Sequence, residues 1–162
     1  MGEKMDVVLK TENGRFNYRA CAIIISGDKL LAMTDENAPY YYLIGGKVEL
    51  HESAENAVLR EIKEEMNIDA EIVRPLWVCQ NFFTEKVNND RYHELCFYFL
   101  VDISKTDVLE RGDKFVIQEG KHTLNFKWLN ISELNDKYLV PEFIKKQISN
   151  LPKTLKLITV IE

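Results

Sequence analysis

The sequence predicts an α+β fold: a mixed sheet with one helix in the middle of the chain and a second near its end. Two observations predict it. Short apolar or alternating runs, bounded by turn residues, recur at 5–10, 16–26, 29–33, 70–81, 92–101 and 123–129. Two stretches carry helix-start signals, one at Ser53 and one at Pro141. Strands grouped around isolated helices, rather than strict alternation, argue for α+β.

The 162 residues suffice for one domain spanning 1–162. A chain of that length buries roughly 70% of its unfolded surface. Hydrophobic residues make up 46% and charged residues 29%, the composition of a soluble globular protein. The net charge is -5 and the pI about 5.3. That balance argues against general nucleic-acid binding, which favours a basic surface. A small anionic partner held through a cation fits better. Cys21, Cys79 and Cys96 are odd in number and sit in apolar contexts, which reads as reduced core thiols of a cytoplasmic protein. The first ten residues lack the apolar stretch of a signal peptide, and no apolar run reaches about 18 residues, so no membrane span is expected.

Taken in order, Ala20 to Ile25 is a continuous apolar run, the pattern of a central strand covered on both faces. Gly27-Asp28 marks a turn, and Lys29 to Met33 the returning strand. Asp35 to Pro39 is a polar loop, and Tyr40 to Leu43 leads into Gly45-Gly46, where a backbone can approach another segment or a ligand closely. Pro75 within 70–81 demands a sheet edge or a bulge. The pair 70–81 and 92–101 reads as a long hairpin around Asn88-Asn89-Asp90. Ser104 to Gly112 is a charged connection, and 114–120 gives no clear signal. Pro141 suits a first helical turn, followed by EFIKKQISNL, and 154–160 reads as a final strand.

The central helix carries the chemistry. Ser53 is a good N-cap, and neither Gly nor Pro interrupts the run to Asn67. At about 100° per residue, Val58, Leu59, Ile62 and Met66 share one arc. Glu61, Glu64 and Glu65 fall on the neighbouring arc, and Asn56, Arg60 and Lys63 on the solvent side. Like charges at i,i+4, as in Glu61 and Glu65, cost roughly 0.2–0.5 kcal/mol. Two readings account for them. One is a solvated acidic face with Arg60 pairing Glu64. The other is a hard divalent cation such as Mg²⁺, which takes oxygen ligands and shares its shell with substrate phosphates.

The residues flanking the helix shift the balance between them. Gly46 is followed by five residues and Glu52, then by seven residues and Arg60-Glu61-Ile62-Lys63-Glu64-Glu65-Met66-Asn67-Ile68. This resembles the Nudix box, the signature of the Nudix hydrolase family. Gly46, Glu52, Arg60, Glu61, Ile62, Glu64, Glu65 and Ile68 match it in register. Asn67 stands where the family has Gly, and Asn is the next best residue for a left-handed helix end. Ile44 stands where many members have Pro. Neither departure removes a carboxylate.

The resemblance implies a Nudix-like α/β/α sandwich, with a mixed β-sheet between helices. It implies Mg²⁺-dependent hydrolysis, Mn²⁺ substituting, of a nucleoside diphosphate linked to another moiety. Carried over by position, Gly46, Glu61, Glu64 and Glu65 would hold metal. Arg60 would orient Glu64, and Glu52 would support the loop or hold metal through water. The family's general base varies in place. Here Glu119 is the candidate, ahead of Glu110 and Asp113, with Glu61 as ligand or base. His93 is read as structural. Tyr40, Tyr41, Tyr42, Phe82, Phe83 and Tyr92 are candidates for stacking on a base. The expected partner is a small nucleotide, without membrane association and with room for a homodimer. Alternatives are a catalytically silent nucleotide sensor and a diphosphate isomerase of similar fold, the latter needing a reactive Cys with an acid partner.

Overall fold

The computed structural model describes residues 3–162; the first two residues of the expected 1–162 span lie outside the described residues. The strands are β1 (Val8–Thr11), β2 (Gly14–Ile23), β3 (Ile25–Ser26), β4 (Lys29–Thr34), β5 (Gly45–Lys47), β6 (Glu71–Thr84), β7 (Arg91–Asp102), β8 (Lys114–Glu119), β9 (His122–Asn130) and β10 (Lys156–Ile161). The helices are α1 (Ala54–Met66) and α2 (Phe143–Gln147). Short 3₁₀ turns cover Val108–Arg111 and Ile131–Asp136.

The strands form two sheets rather than the single one expected. The larger has six strands in the order β1-β2-β7-β6-β10, with β5 also on β2; the smaller is β3-β4-β9-β8. The larger sheet is mixed, because β2 pairs with β7 and β6 with β10 in parallel, while the other pairs are antiparallel. The apolar run of 20–25 is one strand in sequence but two in space. Regular pairing with β7 ends at Ile23, and Ile25 already pairs with Leu30 in the smaller sheet.

Successive strand residues point to opposite faces, and β2 shows what covers each. Ala20 and Ala22 pack in one core with Val58, Ile62 and Met66 of α1. Cys21 and Ile23 pack in a second core with Trp77, Tyr98, and Phe143 and Ile144 of α2. The helices therefore lie on opposite faces of the sheet, an α/β/α sandwich. Full burial of Val58, Ile62 and Met66 contributes roughly 1.5–3 kcal/mol each. Ile62→Ala would remove that and leave a cavity, a loss of about 2–5 kcal/mol.

Pro75 meets both conditions set for it. The β6–β7 register shifts on either side of Pro75, and β10 begins to pair with β6 only at Trp77, so Pro75 sits at a bulge on an open edge. Of the stretch 114–120, silent in sequence, Lys114–Glu119 is β8, paired with β9 across its length. The second helix is shorter than EFIKKQISNL suggested and stops at Gln147, once Phe143, Ile144 and Ile148 have reached the core. All three cysteines are free and buried. Among the described residues, no helix is long and apolar enough to cross a membrane.

Candidate active site

Helix α1 is fixed at both ends by its own sequence. Ser53 Oγ accepts from the Asn56 N–H at 3.1 Å, and Asn67 is left-handed at φ 55°, ψ 44°, its N–H donating to Lys63 O. Arg111 adds a second cap that the sequence did not reveal, donating to Met66 O at 2.9 Å.

Beside the helix lies β5, pairing antiparallel with β2 so that Gly46 faces Ala20 and Gly45 faces Cys21. A Cβ on Gly45 would stand 2.3 Å from Ala20 O, so this glycine permits the close strand approach. A Cβ on Gly46 would stand 2.3–2.6 Å from the Glu61 carboxylate. The Glu61 side chain thus occupies the space that a side chain at 46 would need.

Arg60 binds this region together. It is not on the solvent side, as the helical arc suggested, but only 19% exposed. Its Nε and Nη2 reach the two oxygens of Glu52 at 2.8 and 3.0 Å, Nη1 reaches Glu61 at 2.9 Å, and Nη2 also donates to Lys47 O. Its contact with Glu64 is the longest of its side-chain hydrogen bonds, at 3.3 Å. Glu52 in turn accepts from the Glu49 N–H at 3.1 Å, which closes the turn before α1.

The three helix acids occupy different environments. Glu64 is exposed. Glu61 is half-buried, and its carboxyl is raised by burial although Arg60 opposes the shift. Glu65 is buried at 8% exposure, with Oε2 lacking any hydrogen-bond partner. Burial first, then the charges of Glu61, Glu119 and Cys21, hold the Glu65 carboxyl well above the usual carboxylate range, while Arg19 acts the other way. Among the described residues, no three His, Cys, Asp or Glu side chains already converge as a cation cage. Glu64 is instead turned toward Arg60.

Glu119 ends β8 and is half-buried, and it is among the charges acting on Glu65. Asp113 is engaged by Lys29 Nζ at 3.1 Å. Glu110 lies exposed in the 3₁₀ turn. His93 stacks on Phe82 at 4.4 Å and meets the Phe16 edge at 5.2 Å. It pairs with Phe16 four positions before Ala20 on β2, about 13 Å along the strand from the Gly46 level.

Charged and aromatic side chains that the sequence did not assign lie within electrostatic reach of these acids. On β2, Arg19 has its Nε buried without a hydrogen-bond partner, and on β7, Glu94 accepts from Asn17 Nδ2 at 3.1 Å and lies 3.8 Å from Arg19 Nη1. A charged residue placed directly before the apolar run 20–25 was the available signal for Arg19. Cys96 donates to Cys21 at 3.6 Å, and burial pushes Cys79 up to about 12. Tyr42 donates to Asp35 at 2.7 Å, and burial followed by that bond holds its hydroxyl protonated. Tyr40 packs edge-on against Tyr42 and Tyr138 and feels both Glu85, near the β6–β7 tip, and Arg19. Tyr41 faces the core beside α2. Phe83 and Tyr92 stack at 5.1 Å, with Arg15 over the Tyr92 ring. The loop 35–42 is tied to the β8–β9 turn through Glu36, which bonds His122 at 2.8 Å and the Thr123 N–H at 3.1 Å. Of two surface hollows, one of about 420 Å³ is lined by Tyr41, Phe115 and Phe126 and one of about 690 Å³ by Phe83, Tyr92 and Arg15, and none of the helix acids lines either.

Comparison with known proteins follows the same geometry. A family model described as NUDIX domain matches residues 15–151. The mRNA-decapping protein D10 of Fowlpox virus (strain NVSL) is 30% identical over 103 residues, 62% of this chain and 44% of the viral protein. The match therefore spans less than half the length of that relative. Among solved structures, a MutT protein from Bacillus halodurans superposes with a TM-score of 0.61 at 17% identity, over 88% of each chain. An ADP-ribose pyrophosphatase from Streptococcus suis 89-1591 gives 0.55 at 18% identity, over 88% of this chain and 98% of the other. At such identities the likeness is one of fold.

Proposed function

The chain belongs to the Nudix family, and from that premise we propose that it is a divalent-cation-dependent pyrophosphohydrolase, cleaving a nucleoside diphosphate linked to another moiety. The observation that carries this reading is Glu65, a carboxylate buried beside Glu61 with one oxygen left without a partner. A buried carboxylate leaves water only when paired or metal-bound, and this one lacks a cationic hydrogen-bond partner. The side-chain-free space at Gly46 supports the same fit, since it admits the Glu61 carboxylate against the backbone. Glu61, Glu64, Glu65 and the Gly46 carbonyl would hold Mg²⁺ or Mn²⁺. Such a cation, when bound, neutralises pyrophosphate charge and lowers the pKa of water.

The remaining work belongs to the chain's own groups. Arg60 positions Glu61 and anchors the turn through Glu52, which holds Glu61 beside Gly46. Glu64, exposed and only loosely held, can swing from Arg60 to a cation without breaking the clamp. Glu119 would take the proton from the attacking water. Arg19, whose charge reaches Glu65, would face substrate phosphate, and Tyr40 would offer an aromatic face to the base. Buried, reduced cysteines support a cytoplasmic setting. Cys79 and Cys96, held protonated in the core, do not supply the reactive thiol that an isomerase would need.

The test is a substrate panel with Mg²⁺: ADP-ribose, a nucleotide sugar, nucleoside triphosphates and a capped RNA oligonucleotide. The last is included because of the viral decapping relative. Turnover of at least one, abolished by chelator, is the expected outcome. Binding without turnover across the panel would instead make the chain a sensor, and full activity in chelator would overturn the metal reading.

A further inference from the structure

The last strand reads nearly the same in both directions. From Lys156 to Glu162 the residues are Lys-Leu-Ile-Thr-Val-Ile-Glu, with aliphatic residues at matching distances on either side of Thr159 and opposite charges at the two ends. Among the described residues, β10 is the outer strand of the six-stranded sheet, paired on one side with β6 in an unbroken register. Sheet edges are ordinarily guarded by a charge, a proline or a bulge. Leu157 to Ile161 contains none of these.

The phase of the backbone is fixed by one bond: the Glu162 N–H donates to Phe82 O at 2.9 Å. In a parallel ladder, alternate residues direct both N–H and C=O to the same neighbour. Ile158 and Val160 therefore share that direction, toward β6, and Leu157, Thr159 and Ile161 present their backbone to the open edge. The side chains divide in the same way. Ile158 and Val160 pack on the core shared with α2, while Leu157 and Ile161 stand 61% and 79% exposed.

We propose that two copies of this chain join through β10, antiparallel, about a twofold axis at Thr159. In that register Leu157 of each copy lies opposite Ile161 of the other, Ile158 opposite Val160, and Lys156 opposite Glu162. The edge-facing residues form the hydrogen-bonded pairs, with roughly six N–H···O bonds in total. Threonine opposite threonine, aliphatic pairs and terminal opposite charges are each favourable cross-strand pairs. A slip of two residues sets Lys156 opposite Val160 and breaks the charge pairing, so one register is preferred. The contact is isologous and closed, and it covers the exposed Leu157 and Ile161 mutually. One strand seam is smaller than the standard ~800 Å² per partner, so the dimer is concentration-dependent.

Sedimentation equilibrium on the full chain tests this, with a mass rising toward twice 18.9 kDa as concentration increases. Lys156→Glu and Glu162→Lys should each weaken association by about tenfold or more, and the double variant should restore it. Thr159→Pro removes an outward N–H while sparing the bonds to β6, and should also give monomer. Amide exchange at Leu157, Thr159 and Ile161 should be slow in the dimer and fast in the Lys156→Glu monomer, with Ile158 and Val160 protected in both. A monomer from micromolar to millimolar concentration overturns the proposal. So does a dimer indifferent to Thr159→Pro and both charge reversals, or one whose outward amides exchange fast.

Discussion

Arg60 grips Glu52 with two nitrogens, at 2.8 and 3.0 Å, across the turn that joins β5 to α1. Both side chains are mostly buried, so the pair acts as a bidentate clamp rather than a surface ion pair. Arg60→Lys keeps the charge but loses the fork. We expect a stability loss of about 1.5–3 kcal/mol, read by denaturant unfolding. The guanidinium holds the Glu52 carboxyl below its usual range. A lowered folded value means that the pair stabilises above about pH 4.3, and that this contribution fades as pH falls through the lowered value. The gap between wild type and Arg60→Lys should therefore narrow in acid. A gap constant from neutral pH down to acid unfolding would show that the clamp is not the cause.

Gly46→Ala separates function from folding. The added methyl collides with the Glu61 carboxylate, the free end of a flexible side chain. The fold should survive with a change within about 1 kcal/mol, while Glu61 is displaced. A misplacement of about 1 Å can cost roughly 10²-fold in rate. Unfolding and kcat measured on the same preparation check this. A variant with normal turnover would remove Glu61 from the site.

Asn67 shows how far local sequence carries the fold. Its left-handed conformation at the end of α1 was legible from the Gly that the family has there and from Asn's tolerance of that geometry, and the Ser53 cap from residue type, because both depend on neighbours within four residues. Asn67→Gly should be neutral or slightly stabilising, whereas Asn67→Ala should cost about 1 kcal/mol from the strained positive φ. Thermal unfolding of the pair tests it, and equal stability of the two variants would contradict the geometry. What stayed illegible depends on distant partners. The clamp pairs residues eight apart across a turn. Ile24 lies where one apolar run passes between two sheets, which no periodicity marks. Arg111, which caps α1 from 45 residues away, looked like part of a charged linker. The acids of the Nudix box were legible because their spacing is local; Arg19 and Tyr42, which only the fold brings within electrostatic reach of Glu65, were not.

Glu65→Gln should move stability and activity in opposite directions. The raised folded value of Glu65 favours the fold below about pH 4.3, and that contribution is lost as pH rises through the raised value. At neutral pH without metal, Glu65→Gln should therefore be more stable, by on the order of 1 kcal/mol. Added Mg²⁺ should raise the melting temperature of the wild type and leave that of Glu65→Gln nearly unchanged. Turnover should fall by orders of magnitude. If the variant gains no stability and keeps its Mg²⁺ response, Glu65 is not the metal-facing carboxylate.

Glu119 and Glu64 can be told apart by rescue. Glu64→Gln weakens a ligand, so its lost rate should return in part as Mg²⁺ is raised, because the defect lies in metal affinity. Glu119 sits at the end of β8, where its charge reaches Glu65. Its proposed task is to accept a proton, and a positioned base contributes about 10²–10⁴-fold. Glu119→Gln should then lower kcat by that factor, leave the Mg²⁺ dependence of the remaining rate unchanged, and flatten the acid limb of the kcat profile. Each readout has its own failure. Recovery with Mg²⁺ would reassign Glu119 as a ligand. A kcat within about twofold of wild type, well short of a general base's share, would remove Glu119 from proton transfer. Glu61, already against Gly46 and beside Glu65, then becomes the next base to test, by Glu61→Gln under the same two titrations.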